Sequence, residues 1–597
     1  MVDGVKVNLK GDNKKAEVIA SDSAFIGAWS GAAALQWNHV GSGESNTTVG
    51  LAGAAAVNNV QSKTKAFVKD SSITNANKFK VNAVSGGTQV AAGMGLEAVK
   101  ESGGQGRSYL LGTSASMNFI DNEVSSESEN NIITGESEDK RADVDVTAYE
   151  SDTQVTGGFN LQAGQSKGTV GAAVTVAKLN NKVKAGIKGG NYTNINRADT
   201  KALLATTQVT SALSVGGTNS FGSGLGNYQG AVSVNNINND VSATVDKSSI
   251  KNAKELNVIA KDIKGSSELA KEYQSLLNGK DREYLKAHGI DTTGKNYYTE
   301  EQLKEAAKRD GAVIVNAAAS IAGSDKSSGG AGVAVNLVKN KFKAEVIGED
   351  KVDKTKDIAA EKINVDAKSS TVIVNTAAGL AVSQNSFAGL GSFAWQELNN
   401  EVSTKVENIK AETDRLNVVA RNNTLGVNIA GNIAGTGSAA VGAALAHNSL
   451  KNKASSSVTA SNFKPFSKTN AKMGINVQAL NDSHITNVSA GVVASAKASG
   501  ISGMASINRG SDETEALVSD SEFEGVNSFN VDAKDQKIVN TIAGNINGGK
   551  AAGVGATVAH TNIGKQSVTA IVKNSKIKTA NNQDKKISML LRKIVLL

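Results

Sequence analysis

Residues that could carry out catalysis are few and widely separated in this chain of 597 residues. No two of its five histidines stand at a spacing typical of metal ligands; they are His39, His288, His447, His484 and His560. Cysteine is absent, which excludes thiolate metal sites and disulfides. No Gly-x-Ser-x-Gly turn joins a predicted strand to a predicted helix, as a serine nucleophile of that type would need. The sequence therefore predicts no enzyme, no metal site and no cofactor.

Acidic residues are concentrated between Asp121 and Asp145, in a stretch that includes Glu136, Glu138 and Asp139. Several carboxylates in one loop could bind Ca²⁺, which takes many oxygen ligands. A solvated acidic loop is the more common explanation for the same residues. We expect a long polar acidic loop, about 121–145, that leaves the fold. An enzyme that cleaves acidic polysaccharides with clustered Asp, Arg and Ca²⁺ remains an alternative.

Asparagine recurs at a fixed place in a repeated pattern, at Asn58, Asn118, Asn235 and Asn336 among others. We expect a structural role, because stacked amide side chains can hydrogen-bond to one another along a parallel sheet or can hold a turn. His447 and His560 fall near such asparagines. They are expected at exposed strand ends.

The elements that position these residues are repeated strands with a period of two. In the stretch around residue 344, Phe342, Ala344 and Val346 alternate with charged residues, which indicates a strand with one face on a core and one in water. A Gly/Ala-rich strand ends in an anchor residue, and an alternating triplet begins six residues later. The anchors are Asn8, Asn58, Asn118, Ala177, Asn235, Asn336, Gln396, Asn448, Asn508 and Asn562.

The intervals between anchors are 50 to 60 residues, except for one of 101. This regularity predicts an all-β fold, a right-handed parallel β-helix (solenoid) built from repeats of about 50–60 residues. With roughly 20 residues in each coil, one repeat would supply two to three coils. Some 30 coils would then form a rod on the order of 140 Å long.

The long interval contains a segment without the repeat, residues 264–311. Thr299 and Gln302 form a capping box, which predicts a small helical insertion on one turn of the rod. Half of the eight tyrosines lie in this segment, and tyrosine is common at binding hot spots; they are Tyr273, Tyr284, Tyr297 and Tyr298. These four residues are the candidate binding surface, although packing of the insertion's own small core is the more common role for such tyrosines.

The sequence thus predicts β-helix repeats over 1–263 and 312–580, followed by a non-repeat tail at 581–597 that could reflect truncation or a shifted reading frame. The net charge of +8 is spread among acids, which disfavours nucleic acid as a partner. No run of about 18 apolar residues predicts a transmembrane helix. The start of the chain shows no signal peptide, and we expect a fragment of a longer protein.

The repeat resembles that of the large leukotoxin and haemagglutinin-like exoproteins of fusobacteria, which are secreted by a type V route. The resemblance rests on Gly53–Val60, Lys184–Ile187 and Leu416–Ala420, with the pattern Gly-Ala-Ala-x-x-Val-Asn-x-Val, then Lys-Ala-x-Val and Leu-x-Val-x-Ala. It implies a secreted or outer-membrane surface location, export through an outer-membrane transporter as in autotransporters, and host-cell surface proteins or glycans as partners. The expected function is that of an adhesin-like rod that presents a host-binding surface. The alternatives are a cytotoxin segment that acts on leukocytes and, after it, the polysaccharide-cleaving enzyme.

Overall fold

The structure is a computed structural model of the chain. It describes residues 1–11, 14–39, 47–102, 107–218, 226–263, 311–349, 357–467, 472–579 and 595–596. Throughout these residues the regular secondary structure is β-strand.

The strands are long, and most of the main ones contain 21 to 28 residues. In chain order they are β1 (Val2–Asp3), β2 (Lys6–Asn8), β3 (Lys15–His39), β4 (Thr47–Lys69), β5 (Ser72–Ala76), β6 (Lys78–Ser102), β7 (Arg107–Glu129), β8 (Ile132–Gly135), β9 (Ala142–Gly164), β10 (Gly168–Lys188), β11 (Asn191–Thr218), β12 (Gly226–Asp246), β13 (Ser249–Asp262), β14 (Ala312–Ser324), β15 (Ser327–Ile347), β16 (Asp357–Ser383), β17 (Phe387–Glu407), β18 (Lys410–Glu412), β19 (Arg415–Thr436), β20 (Ala439–Thr459), β21 (Asn462–Lys464), β22 (Met473–Ser495), β23 (Ser499–Ser519), β24 (Glu522–Gly549), β25 (Ala552–Lys573), β26 (Lys576–Thr579) and β27 (Val595–Leu596).

All pairing between these strands is parallel, and it builds two sheets. Sheet 1 has the order β1-β4-β7-β10-β12-β15-β17-β20-β23-β25. Sheet 2 contains the other strands, with long neighbours such as β6–β9, β16–β19 and β19–β22. The chain alternates between the two sheets, and each pass lies on the one before it. The predicted all-β parallel β-helix is therefore confirmed.

Each sequence repeat forms one coil of this solenoid. In sheet 1, Gly168 pairs with Gly226 and Ala440 pairs with Gly500, so one repeat length separates neighbouring strands. The predicted two to three coils per repeat were wrong, because the Gly/Ala-rich stretches are strand and not turn. The distance from β4 to β25 is then roughly 40 Å at about 4.8 Å per strand, and each strand is roughly 70 Å or more in length. The solenoid is a broad plate and not a thin rod.

The anchor residues form a continuous row in sheet 1. Pairing runs through the residues at eight successive anchors, Asn58, Asn118, Ala177, Asn235, Asn336, Gln396, Asn448 and Asn508. The two terminal anchors were placed wrongly. Asn8 pairs with Thr74 in sheet 2, and Asn562 pairs with Arg509, one residue past the row.

The main core lies between the second half of the sheet 1 strands and the first half of the sheet 2 strands. Phe342, Ala344 and Val346 are fully buried there and pack in one cluster with Val365 and Val245. The strand phase predicted from alternation is correct. Valine and alanine dominate this core, which explains how a chain with few aromatic residues can fold.

Tight turns connect the two sheets at the end of this core. Asp70, Asn130, Asn408 and Asp520 take positive φ values of 48° to 56° at equivalent places. Asparagine and aspartate tolerate this left-handed conformation better than other residues with a Cβ atom. The side chain of Asn130 donates a hydrogen bond to Asp70 Oδ1 at 3.1 Å, which links the turns of neighbouring coils.

The acidic loop expected over 121–145 is mostly strand. Strand β7 continues to Glu129, and Val124 and Ser126 occupy the core positions at which other coils place valine and alanine. The acids of β7 lie on the outer face, so the same period of two is kept with serine inside. A short turn containing Glu136 and Lys140 lies between β8 and β9.

The insertion interrupts sheet 2 in the middle of a coil and not at a turn. Strands β13 and β14 both pair with β11, at Leu204↔Asp262 and Thr207↔Val313. The chain thus leaves and rejoins sheet 2 within about 10 Å, since strands advance about 3.3 Å per residue. The predicted helix lies outside the described residues. So does most of the tail at 581–597, of which only β27 is described.

Candidate binding face

Each coil has two halves that differ in the chemistry of their outer faces. In the coil of β14 and β15, we call residues 313–335 the apolar half. In every other coil, the apolar half consists of the residues in register with these. The remainder of each coil is the charged half. In the charged half the interior is apolar and the outer face carries ion pairs, such as Lys341 with Glu401 and Lys453 with Glu513.

The outer face of sheet 1 in the apolar half carries four in-register rows without Asp, Glu, Lys or Arg. Alternation places every second residue of a strand on this face. From β4 to β25 the rows are Leu51, Leu111, Val170, Tyr228, Gly329, Gly389, Val441, Ile501 and Val554; Gly53, Thr113, Ala172, Gly230, Ala331, Gly391, Ala443, Gly503 and Ala556; Ala55, Ala115, Val174, Val232, Val333, Phe393, Leu445, Ala505 and Val558; and Val57, Met117, Val176, Val234, Val335, Trp395, His447, Ile507 and His560.

The outer face of sheet 2 in the apolar half has the same character. From β3 to β24 its rows are Gly27, Val90, Val155, Val209, Val315, Val374, Val427, Thr486 and Asn540; Trp29, Ala92, Gly157, Ser211, Ala317, Thr376, Ile429, Val488 and Ile542; Gly31, Met94, Phe159, Leu213, Ala319, Ala378, Gly431, Ala490 and Gly544; and Ala33, Leu96, Leu161, Val215, Ile321, Leu380, Ile433, Val492 and Ile546. We call these eight rows the apolar band.

The apolar band is exposed to solvent. The exposed fractions of Val170, Ile501 and Ile433 are 49%, 46% and 53%. Nine strands with about ten residues each give each face on the order of 1,000 Å². Monomeric proteins usually expose contiguous apolar patches of only a few hundred Å². A surface of this size and composition indicates an interaction site.

A shallow trough crosses the band on sheet 1. Its floor is the row of small residues that includes Gly391, Ala443 and Gly503, and rows of larger side chains such as Phe393 and Leu445 flank it. The trough has a volume of about 520 Å³ and an almost entirely apolar lining. Such a shape suits an extended apolar ligand.

An aromatic pair marks the edge of the band on sheet 1. Trp395 stacks on His447, with ring centroids 4.0 Å apart, and Phe393 stacks on Trp395 at 5.9 Å. Burial lowers the pKa of His447, and the nearby positive charge of Arg509 lowers it further. His447 and His560 lie within strands on this face, so the expectation that they occupy strand ends was wrong.

The interior of the apolar half contains small apolar residues such as Ala318 and Ala377, and asparagines stack between them. Asn316 donates to Asn375 at 3.0 Å, Asn375 to Asn428 at 2.9 Å, and Asn428 to Asn487 at 2.8 Å. All four side chains are buried. These asparagines stand in one register row of sheet 2, and their constant place in the repeat could have identified the ladder.

The anchor asparagines of sheet 1 behave differently from the prediction. Asn58 and Asn118 donate across the interior to backbone carbonyls of β6, those of Val90 and Gln89. They therefore tie the two sheets together. The amides that stack along sheet 1 lie four residues later. They link Asn239, Asn340, Asn400 and Asn452 at 2.8 to 3.1 Å.

Two buried carboxyl groups lie inside the solenoid on β9. Asn122 donates a hydrogen bond to Glu150 at 3.2 Å and a shorter one to Asp152. Burial raises the pKa of Glu150 well above its usual value, and the charge of Asp152 raises it further. Burial also raises the pKa of Asp152, to about 6. The two groups can share a proton, but both side chains are almost completely buried, which leaves no room for a substrate.

His447, His484 and His560 lie on three different strands. His484 lies on the outer face of sheet 2, with Nε2 3.1 Å from Asp482 Oδ1. Tyr273, Tyr284, Tyr297 and Tyr298 lie outside the described residues, as does His288. In the part of the chain that the structure describes, no three His, Cys, Asp or Glu side chains form a metal site.

The apolar band was missed in the sequence because its strands carry apolar residues on both faces, so alternation does not mark the outward face. In Val374-Asn375-Thr376 the polar Asn375 is buried while Val374 faces outward. A period of two shows which residues share a face but not which face is inside. No helix in the described residues is long and apolar enough to cross a membrane. No known protein family, curated protein or solved structure matches this chain.

Proposed function

We propose that this chain is an interaction module, a β-solenoid plate that binds its partner through the apolar band. The observation that supports this proposal is the set of eight exposed rows without Asp, Glu, Lys or Arg. An uncharged surface of that size is costly to keep in water, so a contact that covers it would be favoured.

Within this proposal, the module belongs to a secreted or surface-located bacterial protein of the adhesin or leukotoxin type. The resemblance of its repeats to fusobacterial exoproteins supports that setting. Its partners would be constituents of a host-cell surface, reached after export through an outer-membrane transporter. The flat plate offers a contact area that a small globular domain could not provide.

The experiment is attachment of the purified chain to cultured leukocytes. The variant V170D/I501D places two carboxylates in the band on strands that are far apart. Both parent side chains are about half exposed, so the fold should tolerate the change. The control S242D/S403D adds the same charge to the outer face of the charged half. We expect V170D/I501D to reduce attachment at least tenfold and the control to match the parent. Equal attachment by all three proteins would exclude the band as the contact surface.

A cytotoxin segment is the second candidate, and the same band favours it because membrane damage requires apolar contact with lipid. Release of a cytoplasmic enzyme from leukocytes at concentrations that saturate attachment would support toxicity. Attachment without release would support adhesion.

A further inference from the structure

We infer that the apolar band is a lipid-binding surface, so that the partner is the hydrocarbon of a bilayer and not a protein or a glycan. This inference rests on the proposed function and names the chemistry of the partner. Four features of the described residues support it.

The first feature is that the band has two opposite faces. Rows of sheet 1 and rows of sheet 2 lie back to back in the same half of each coil and are joined by short turns such as Asp325–Lys326. A protein docked on sheet 1 would leave the face that includes Ile433 and Met94 in water. Acyl chains can surround both faces at once.

The second feature is the length of the uncharged outer face along the strands. The rows that flank the band, those of Ser327, Val313 and Gly323, also lack Asp, Glu, Lys and Arg. With these rows, the uncharged face in one coil takes nine residues of sheet 1, 327–335, and eleven residues of sheet 2, 313–323. These correspond to roughly 30 and 36 Å at about 3.3 Å per residue. The hydrocarbon core of a bilayer is about 30 Å thick, and about nine to eleven residues is the length of a strand that crosses it.

The third feature is that the backbone groups and the ladder asparagines of this half are hydrogen-bonded within the protein. Parallel pairing continues through the band on both sheets, so backbone amides are bonded to neighbouring strands. The buried asparagines from Asn316 to Asn487 donate to one another and to backbone carbonyls, those of Val335 and Trp395 among them. Hydrocarbon requires this arrangement, because it offers no partner to an exposed polar group.

The fourth feature is the distribution of charge around the band. On sheet 1 the next outward positions include Lys339, Lys341 and Lys343, which begin the charged half. At the opposite end the turns are short and polar, as in Gln384–Ser386. On sheet 1 the first charged outward residue lies two to six residues past the band, as at Lys178, Asp121 and Asp240, so charge begins close to the band, as expected for a plate that enters lipid along one edge.

The test uses the purified full chain with protein-free vesicles of phosphatidylcholine, which carry no net charge. All three tryptophans lie in the apolar half and face outward: Trp29, Trp37 and Trp395. We expect the protein to float with the vesicles. We also expect its tryptophan emission to shift to shorter wavelength. V170D/I501D on sheet 1 and M94D/I433D on sheet 2 should each lower flotation at least tenfold, while S242D/S403D should leave it unchanged.

The outcomes separate lipid from the other partners. If leukocyte attachment depends on the band but vesicles do not bind, the lipid inference fails while the proposed function stands. If only the sheet 1 variant lowers flotation, the inference that lipid contacts the outer faces of both sheets fails. If the parent forms oligomers at rising concentration without binding vesicles, and V170D/I501D abolishes these oligomers, a second copy covers the band and lipid is excluded. If neither cells nor vesicles bind, both proposals fail.

Discussion

The indole ring of Trp395 stacks on the imidazole ring of His447, in neighbouring strands of sheet 1, with centroids 4.0 Å apart. This pair lies where the apolar band meets the charged half. Since burial and Arg509 lower the pKa of His447, the imidazole is neutral at pH 7 and behaves as part of the apolar surface.

The first prediction concerns this pair. In a W29F/W37F background Trp395 is the only tryptophan. When the indole is excited selectively, protonated imidazole in contact with it should quench its emission. We expect the quenching transition with a midpoint below the ordinary histidine pKa of about 6.5. R509Q should move the midpoint upward, because it removes a positive charge. A parent midpoint at or above 6.5 would contradict the burial of His447.

The second prediction concerns the main core. V346D places a carboxylate among fully buried apolar side chains, whereas K343D changes a side chain on the outer face of the same strand. We expect V346D to lower the free energy of unfolding by several kcal/mol (about 3 or more) and K343D to change it by about 0.5 kcal/mol or less. Denaturant unfolding measures both. Equal losses would show that the strand phase is wrong.

The third prediction concerns the buried amide ladder. Asn375 receives a hydrogen bond from Asn316 and donates to Asn428 and to the backbone of Trp395. N375L should therefore lower the free energy of unfolding by about 1 to 3 kcal/mol or more, because it leaves buried hydrogen-bonding partners unsatisfied. The control is N364A, in a half-buried ladder on the outer face of sheet 2 where water can replace the lost bond. A larger loss in N364A would contradict the inward orientation of Asn375.

The fourth prediction concerns pH. Because the folded state raises the pKa of Asp152 to about 6, it holds this proton more tightly than the unfolded chain does. The resulting stability is complete below about pH 4 and is lost as the pH rises through about 6. Glu150, Asn122 and Gln89 face this carboxyl group.

D152N removes the titration. Between pH 4 and pH 7, the free energy of unfolding of D152N should therefore rise by about 1 to 3 kcal/mol relative to that of the parent. Unfolding curves at several pH values measure the difference. A difference that does not change with pH would show that Asp152 is not buried beside Glu150.

The sequence predicts the repeat, the parallel solenoid and the core phase around Phe342 because regular alternation and constant spacing specify strands and their stacking. It does not predict the number of residues in a coil, since glycine and alanine in stretches such as Gly53–Val57 suit a turn and a close sheet contact equally. The acidic stretch in β7 was wrongly predicted to be a loop for a related reason. Serine at positions 126 and 128 fills the core while glutamate lies outside.

The candidate site is harder to predict than the fold. A polar residue in an alternating strand is normally assigned to the outer face, and this rule fails for Asn375 and for every equivalent asparagine in the ladder. Only the packing of the two sheets shows that the amides bond to one another in the interior. The candidate tyrosines lie outside the described residues and stay a prediction.

The central claim is that valines such as Val374 face outward in the apolar half while Asn375 faces inward. The accessibility of successive positions along β16 tests this claim most directly. The chain lacks cysteine, so single cysteines can be placed at successive positions from 372 to 382 and treated with a water-soluble maleimide. We expect rapid labelling at 374, 378 and 382 and slow labelling at 375, 377 and 381, in phase with the outward and inward faces. Rapid labelling at 375 with protection at 374 and 382 would show that the valines face inward, and the apolar band would not exist.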